Sequence, residues 1–172
     1  MTKVVKVAKL IHAIKKDCKQ LKISKYDNMA DVHSKETRSY NMSQIKSKNT
    51  KPEILVRKFI FANGFRYKLH DKKLPGKPDI VLTKLKTVIF VHGCYWHGHE
   101  NCKYYVLPKT RTDWWLQKIN QNKELDIIKS AHLTSEGWHV ITIYECDLKP
   151  AKRDMTLLQL IKKLNNIHSI KN

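Results

Sequence analysis

The segment FVHGCYWHGHENC, residues 90–102, holds three histidines, two cysteines and two adjacent aromatics behind an apolar lead-in. Within it Cys94, His99 and Cys102 are spaced five and three apart just after a strand-like run, a spacing that lets a loop fold back around one tetrahedral Zn²⁺. A structural zinc site takes four protein ligands, so a fourth has to come from elsewhere. Cys146 is the best candidate. It ends WHVITIYEC (138–146) much as Cys94 follows TVIFVH (87–92), and neighbouring strands running the same way would bring those ends together. Cys18, in a lysine-rich N-terminal stretch, is the weaker choice. A lone cysteine reads as a small buried hydrophobe, but three ligands within nine residues and a fourth at a matching strand end favour a closed metal site.

Upstream, LPGKPDIVL (74–82) puts Asp79 at the start of a strand after a Pro-Gly-Lys-Pro turn. A carboxylate there, facing the next strand, suits a hard cation such as Mg²⁺, which takes oxygen ligands and keeps several waters. Such a cation can neutralise a phosphate and activate water. A Pro-Asp pair is also a common turn, and at this point both roles stay open. His92, His97, Tyr95 and Trp96 are used by neither site.

These groups need elements to position them. Thr50-Lys51-Pro52-Glu53 opens a helix, with Thr50 as N-cap, Pro52 in the first turn and Glu53 at the capping-box position. ILVRKFIFA continues it and Asn63-Gly64 ends it. FRYKL (65–69), DIVL (79–82) and TVIFVH (87–92) are strand-like, the last two joined by a link short enough for a hairpin. A long helix runs from Thr112 to about Thr134, WHVITIYEC forms another strand, and MTLLQLIKKLNNI a last amphipathic helix. VVKVAKLIHAI (4–14) has helix-like spacing, and the polar segment from there to about Asn49 predicts a loosely ordered stretch. Helix, antiparallel strands, helix, strand, helix predicts a three-layer α/β domain.

The chain's 172 residues suffice for one domain with a core. Its 34 Lys plus Arg against 15 Asp plus Glu give a formal +19, which points to a polyanionic partner. With no apolar run of about eighteen residues to span a bilayer, nucleic acid leads. Residues 1–28 carry a surplus of six positive charges and 151–172 a surplus of four, so 29–150 keeps +9 and should present a basic face. Four cysteines with no signal peptide before them fit a reducing compartment better than a disulfide framework.

Six stretches taken together resemble the very short patch repair (Vsr) mismatch endonucleases, bacterial enzymes that nick DNA at T:G mismatches left by deamination of 5-methylcytosine. They are MADVHSKETRSYNM (29–42), TKPE (50–53), LPGKPDIVL (74–82), VIFVHGCYWHGHENC (88–102), PKTRTDWW (108–115) and GWHVITIYEC (137–146). Their order and joint presence cover 29–150, which leaves 1–28 as a dispensable basic extension and 151–172 as a C-terminal helix or tail.

The resemblance implies a restriction-endonuclease-like fold, a central mixed sheet flanked by helices with a structural zinc site, and Mg²⁺-dependent hydrolysis in the bacterial cytoplasm. In that wider nuclease superfamily a Pro-Asp motif is followed on the next strand by an acidic residue, any residue and a lysine. This chain has Phe90-Val91-His92 there, the departure expected of Vsr-type enzymes. By the same resemblance Asp79 binds Mg²⁺ with help from the Val91 backbone carbonyl, and His92 stands where the lysine is missing. His97, supported by Asp126, works beside the attacking water or the phosphate, and Glu53 is an active-site acid. A carboxylate partner would fix the tautomer of His97 and raise its basicity. Glu53 also fits the capping box by itself, and Asp126 a solvated helix position, so those alternatives stay open. Tyr95 and Trp96, presented by a metal-stapled loop, and Trp115 from the long helix would wedge into a base step, which is cheapest to unstack at a mismatch. Core packing is the alternative for these rings.

The implied partner is double-stranded DNA containing a T:G mismatch. A MutL-type mismatch repair protein is a candidate partner on which the sequence is silent, and monomer is the family-like default. Two other readings compete: a non-catalytic, zinc-containing DNA-binding module, and a restriction or structure-specific endonuclease with a different substrate.

Overall fold

The computed structural model describes residues 34–171; the helix-like 4–14 stretch, the basic extension 1–28 and Cys18 lie outside the described residues. The first element departs from the loose order expected up to Asn49. Helix α1 spans Lys35–Ser43, and the Ser34 hydroxyl caps it by accepting the Thr37 N–H at 3.2 Å. Glu36 sits in its first turn, where the positive end of the helix dipole favours a carboxylate. No apolar stripe announces this helix, because its described side chains are exposed.

Helix α2, Lys51–Ala62, has the expected start: the Glu53 N–H donates to Thr50 Oγ1 at 3.4 Å, and Glu53 Oε2 accepts the Thr50 N–H at 3.2 Å. Val56 and Ile60, one turn apart, are its fully buried face. Strand β1 is shorter than FRYKL suggests, only Lys68–Leu69; Phe65 and Tyr67 ahead of it pack against the core. β2 (Ile80–Leu82) and β3 (Thr87–His92) follow as an antiparallel pair in the register Ile80↔Ile89. A 3₁₀ turn, Thr83–Leu85, joins them, and Lys86 closes it in left-handed backbone at φ 49°.

Helix α3 runs Thr112–Ser135, β4 spans His139–Tyr144, a 3₁₀ turn covers Glu145–Leu148, and α4 extends over Pro150–Lys171. The sheet order is β1-β2-β3-β4, antiparallel except for β3 and β4, which pair parallel from Thr87↔His139 to His92↔Tyr144. A parallel pair needs a crossover of a dozen or more residues, and α3 supplies it.

Period-two alternation sends β2 and β3 side chains to both faces. Ile80, Leu82 and Ile89 join Val56 and Ile60 of α2 and Leu157, Leu160 and Leu164 of α4 in one core. Val81, Val88 and Phe90 meet Leu133 at the end of α3, with Trp138 and Leu74 packed alongside. Helices therefore cover both faces of a mixed four-stranded sheet, a three-layer α/β arrangement. Among the described residues no helix is long and apolar enough to cross a membrane.

The C-terminal helix is part of this core. Leu164→Ala, at a fully buried position, is expected to lower the unfolding free energy by about 2–5 kcal/mol. Leu158→Ala, on the exposed side of the same helix, should change it by less than ~0.5 kcal/mol. Chemical denaturation of the two variants checks the docking; equal effects would contradict it.

Candidate active site and metal centre

Two residues after β3 comes Cys94, and two residues after β4 comes Cys146, which lies in the 3₁₀ turn rather than in the strand itself. Because the strands are parallel and end together, both thiols reach the same end of the sheet. The loop between them brings in His99 and Cys102, and the four ligand atoms all lie within 4.8 Å of one another. Ligands held 2.0–2.3 Å from one centre take up such spacings, and three thiols with an imidazole suit a borderline-soft cation. Cys146 Sγ is 3.3 Å from His99 Nδ1, and the His99 ring stacks on Tyr144 with centroids 3.7 Å apart. Burial pushes the Cys94 thiol up and the Cys146 thiol up to about 12, whereas the Tyr104 backbone N–H pulls Cys102 down.

The same loop is tied to α3. Asn122 donates to the Trp96 carbonyl at 2.9 Å, and Gly98, at φ +54°, lies so close that a Cβ there would come within 2.8 Å of Ile119 Cγ2 and Lys123 Cδ. This contact aligns the histidines with the helix. His97 Nδ1 and Asp126 Oδ2 are 2.6 Å apart, so the carboxylate holds the Nδ1–H tautomer and leaves Nε2 with a lone pair for a proton. His92 stacks on His97 with centroids 3.6 Å apart and planes 6° from parallel. Burial, followed by the neighbouring His97, pushes His92 down to about 4, so it is neutral near pH 7.

A cleft of about 670 Å³ opens in front of this pair. Asp79, His70, Val91, His92, Trp96, His97 and Asp126 are on its wall, and so are Lys46, Lys48, Lys51, Lys77 and Lys129. Asp79 stands at the start of β2, where its Oδ2 accepts the Val91 N–H from β3 at 2.7 Å. Burial raises its proton affinity above that of an ordinary aspartate, against the opposing pull of that N–H and of His70 and Arg57. A half-buried carboxylate of this kind fits a hard divalent cation, which would relieve the desolvation. The cleft thus joins an oxygen ligand, a carboxylate-held imidazole and a ring of lysines able to receive a phosphodiester.

Glu53 is placed differently. It is 2% exposed and does not line the cleft. Its Oε2 serves the capping box, while Oε1 pairs with Arg57 one turn along α2 and lies 3.1 Å from His70 Nε2. The sequence pattern flagged neither Arg57 nor His70. Arg57 had a signal, its i,i+4 spacing from Glu53; His70 lies in an irregular link and had none.

The aromatic residues pack on one another. Tyr95, Trp96 and Trp115 form a triangle of edge contacts, with centroids 5.2, 5.6 and 5.9 Å apart, and each is half-buried. Trp114, beside Trp115, is exposed and lies under the Arg111 guanidinium. The Tyr95 hydroxyl is buried in the cluster without a hydrogen-bond partner.

Comparison with known proteins settles the family. Residues 30–103 match the profile described as DNA mismatch endonuclease Vsr. The chain is 52% identical over 121 residues to the type II nicking enzyme V.NmeAIP of Neisseria meningitidis, covering 70% of this chain and 86% of that one. It is 41% identical over 121 residues to the DNA mismatch endonuclease Vsr of Escherichia coli, covering 70% and 77%. This chain belongs to the Vsr family. It is therefore a DNA endonuclease, a hydrolase whose partner is DNA. A further relative, V.XorIIP of Xanthomonas oryzae pv. oryzae, also named a type II nicking enzyme, is 48% identical over 120 residues, 70% of this chain and 88% of that one. In this Vsr-family enzyme the lysines on the cleft wall offer charge that suits a DNA backbone.

The orphan hydroxyl makes a stability prediction. A buried donor without a partner costs about 1–3 kcal/mol, so Tyr95→Phe should leave the thermal midpoint unchanged or raise it. A fall in differential scanning calorimetry would mean that the hydroxyl has a partner after all.

Proposed function

We propose that this Vsr-family enzyme nicks one strand of duplex DNA 5′ to the thymine of a T:G mismatch arising from 5-methylcytosine deamination, by Mg²⁺-dependent hydrolysis, and so begins very short patch repair. The observation that carries the reading is the cleft that joins Asp79, His92 and the His97–Asp126 pair beside Trp96. Residues 29–150 would hold the nuclease, on a sheet of restriction-endonuclease-like type, and the mixed sheet with helices on both faces supports that assignment. Residues 1–28 would be a dispensable extension.

Asp79, its carboxylate oriented by the Val91 N–H, would hold Mg²⁺ together with the Val91 carbonyl. When bound, the cation supplies charge neutralisation at the phosphate and a more acidic water. His97, its Nδ1–H engaged by Asp126, would take a proton at Nε2. His92, neutral and stacked on His97, would place a donor beside the phosphate. Glu53 would act from behind the cleft wall rather than on substrate. Cys94, His99, Cys102 and Cys146 would hold Zn²⁺, which staples the ends of β3 and β4 and presents the loop. Tyr95, Trp96 and Trp115 would form the wedge that tests base stacking. We place the enzyme in the bacterial cytoplasm as a monomer, with a MutL-type protein as a candidate partner.

A second reading has its own support: relatives are named type II nicking enzymes, so a nick at a matched recognition sequence is the competing activity. Matched and T:G duplexes incubated with Mg²⁺ or chelator distinguish the two. Nicking is expected at the T:G duplex alone, absent with chelator, and reduced at least about a thousandfold in Asp79→Ala, which is ~4 kcal/mol of barrier. Nicking of matched duplex would favour the second reading, and binding without any cutting would refute both.

Metal analysis should find about one zinc per chain, and Cys146→Ser should lose it together with thermal stability. Folded, active protein free of zinc would refute the structural assignment.

A further inference from the structure

One group on the cleft wall has no role in the scheme above. His70 lies between β1 and the Pro-Gly turn that leads to Asp79, and its backbone is held at φ 46°, in the left-handed region that non-glycine residues seldom occupy. Its N–H donates to the Asp79 carbonyl at 3.4 Å, which fixes the two residues side by side. Behind it, Arg57 is 7% exposed and extends its guanidinium to two acceptors besides Glu53: Nη1 donates to Asn49 Oδ1 at 2.7 Å, and Nη2 is 2.8 Å from His70 Nε2. Nε2 also lies 3.1 Å from Glu53 Oε1, but no hydrogen bond joins those two atoms; a guanidinium carries donors and no acceptor, so His70 Nε2 offers its lone pair to Arg57. In a neutral imidazole the proton then sits on Nδ1. That nitrogen faces Asp79 Oδ1 at 4.0 Å, while Asp79 Oδ2 is already engaged by the Val91 N–H.

We infer that His70 is a positioning residue for Asp79: Arg57 sets its tautomer, and its Nδ1–H holds the Asp79 carboxylate in the orientation that grips a divalent cation. The inference rests on the reading of Asp79 as that cation's ligand. The 4.0 Å separation is longer than a hydrogen bond, as catalytic contacts often are before the site is loaded, when they tighten. The tautomer, rather than that distance, argues against the obvious alternative. Glu53, His70 and Asp79 have ligand atoms close enough to share a metal, yet the Arg57 charge beside Glu53 and the proton on Nδ1 leave His70 no lone pair for one. Loss of a group that hydrogen-bonds a ligating carboxylate costs 10–100-fold in metal affinity.

Two substitutions suit the left-handed backbone and isolate the donor. His70→Gly removes the N–H without adding strain, and His70→Asn keeps an amide N–H close to where Nδ1–H stands, in the non-glycine type that best tolerates this conformation. The probe is Mn²⁺, titrated by electron paramagnetic resonance into the complex of the full chain with a T:G duplex, alongside the Mg²⁺ concentration that half-saturates nicking. His70→Gly should weaken both by about tenfold or more with duplex affinity unchanged, and His70→Asn should restore them. Wild-type affinity in His70→Gly, or an Asn variant as weak as the Gly variant, would overturn the inference. So would a directly bonded nitrogen signal from Mn²⁺ that vanishes in His70→Gly, since His70 would then be a ligand. Wild-type protein that neither binds Mn²⁺ nor needs Mg²⁺ would remove the underlying reading of Asp79 as well, an outcome visible before any His70 variant is made.

Discussion

In-register parallel pairing of β3 with β4 is the constraint on which the site depends. Six residue pairs, Thr87↔His139 to His92↔Tyr144, end the two strands at one level, so whatever follows each strand is delivered to the same place. That delivers Cys94 and Cys146 to one cluster of candidate metal ligands. The crossover that parallel pairing demands is α3, and α3 carries Asp126 to His97 and Asn122 to the Trp96 carbonyl. An antiparallel β4 would have separated the thiols by the length of a strand. It would also have needed no long helix over this end of the sheet.

Within that frame, soft and hard donors are kept apart. Sulfur and one imidazole gather beyond the strand ends, whereas the carboxylate Asp79 faces the cleft from β2, across one strand from β4. The stacked imidazoles of His92 and His97 stand between these zones. Because β3 is the common neighbour of β2 and β4, a displacement of β3 would disturb both zones together.

What the sequence disclosed follows the range of the interactions. The zinc-type quartet was legible because three of its members are within nine residues and the fourth follows from strand polarity. The α2 cap was legible because capping is a local, three-residue event. Helix α1 was not, since its residues are mostly polar and its described side chains stay exposed, so no apolar stripe marks it. Pairing of His97 with Asp126, twenty-nine residues apart, came from the family pattern rather than from spacing. Arg57 and His70 went unseen because their meeting depends on how an irregular link folds back beside α2.

The ring triangle of Tyr95, Trp96 and Trp115 has a consequence for selectivity. In free protein these rings solvate one another, each edge contact worth about 0.5–1.5 kcal/mol beyond burial. For the proposed wedge, engaging a duplex is therefore an exchange reaction, in which protein stacking is surrendered for stacking on bases. Such an exchange would sit near balance, and a near-balanced equilibrium responds most steeply to the few kcal/mol by which one base step resists opening more than another. On that proposal the closed triangle would act as a threshold: a firmly stacked step would leave the rings with each other, and a loosened one would draw them across.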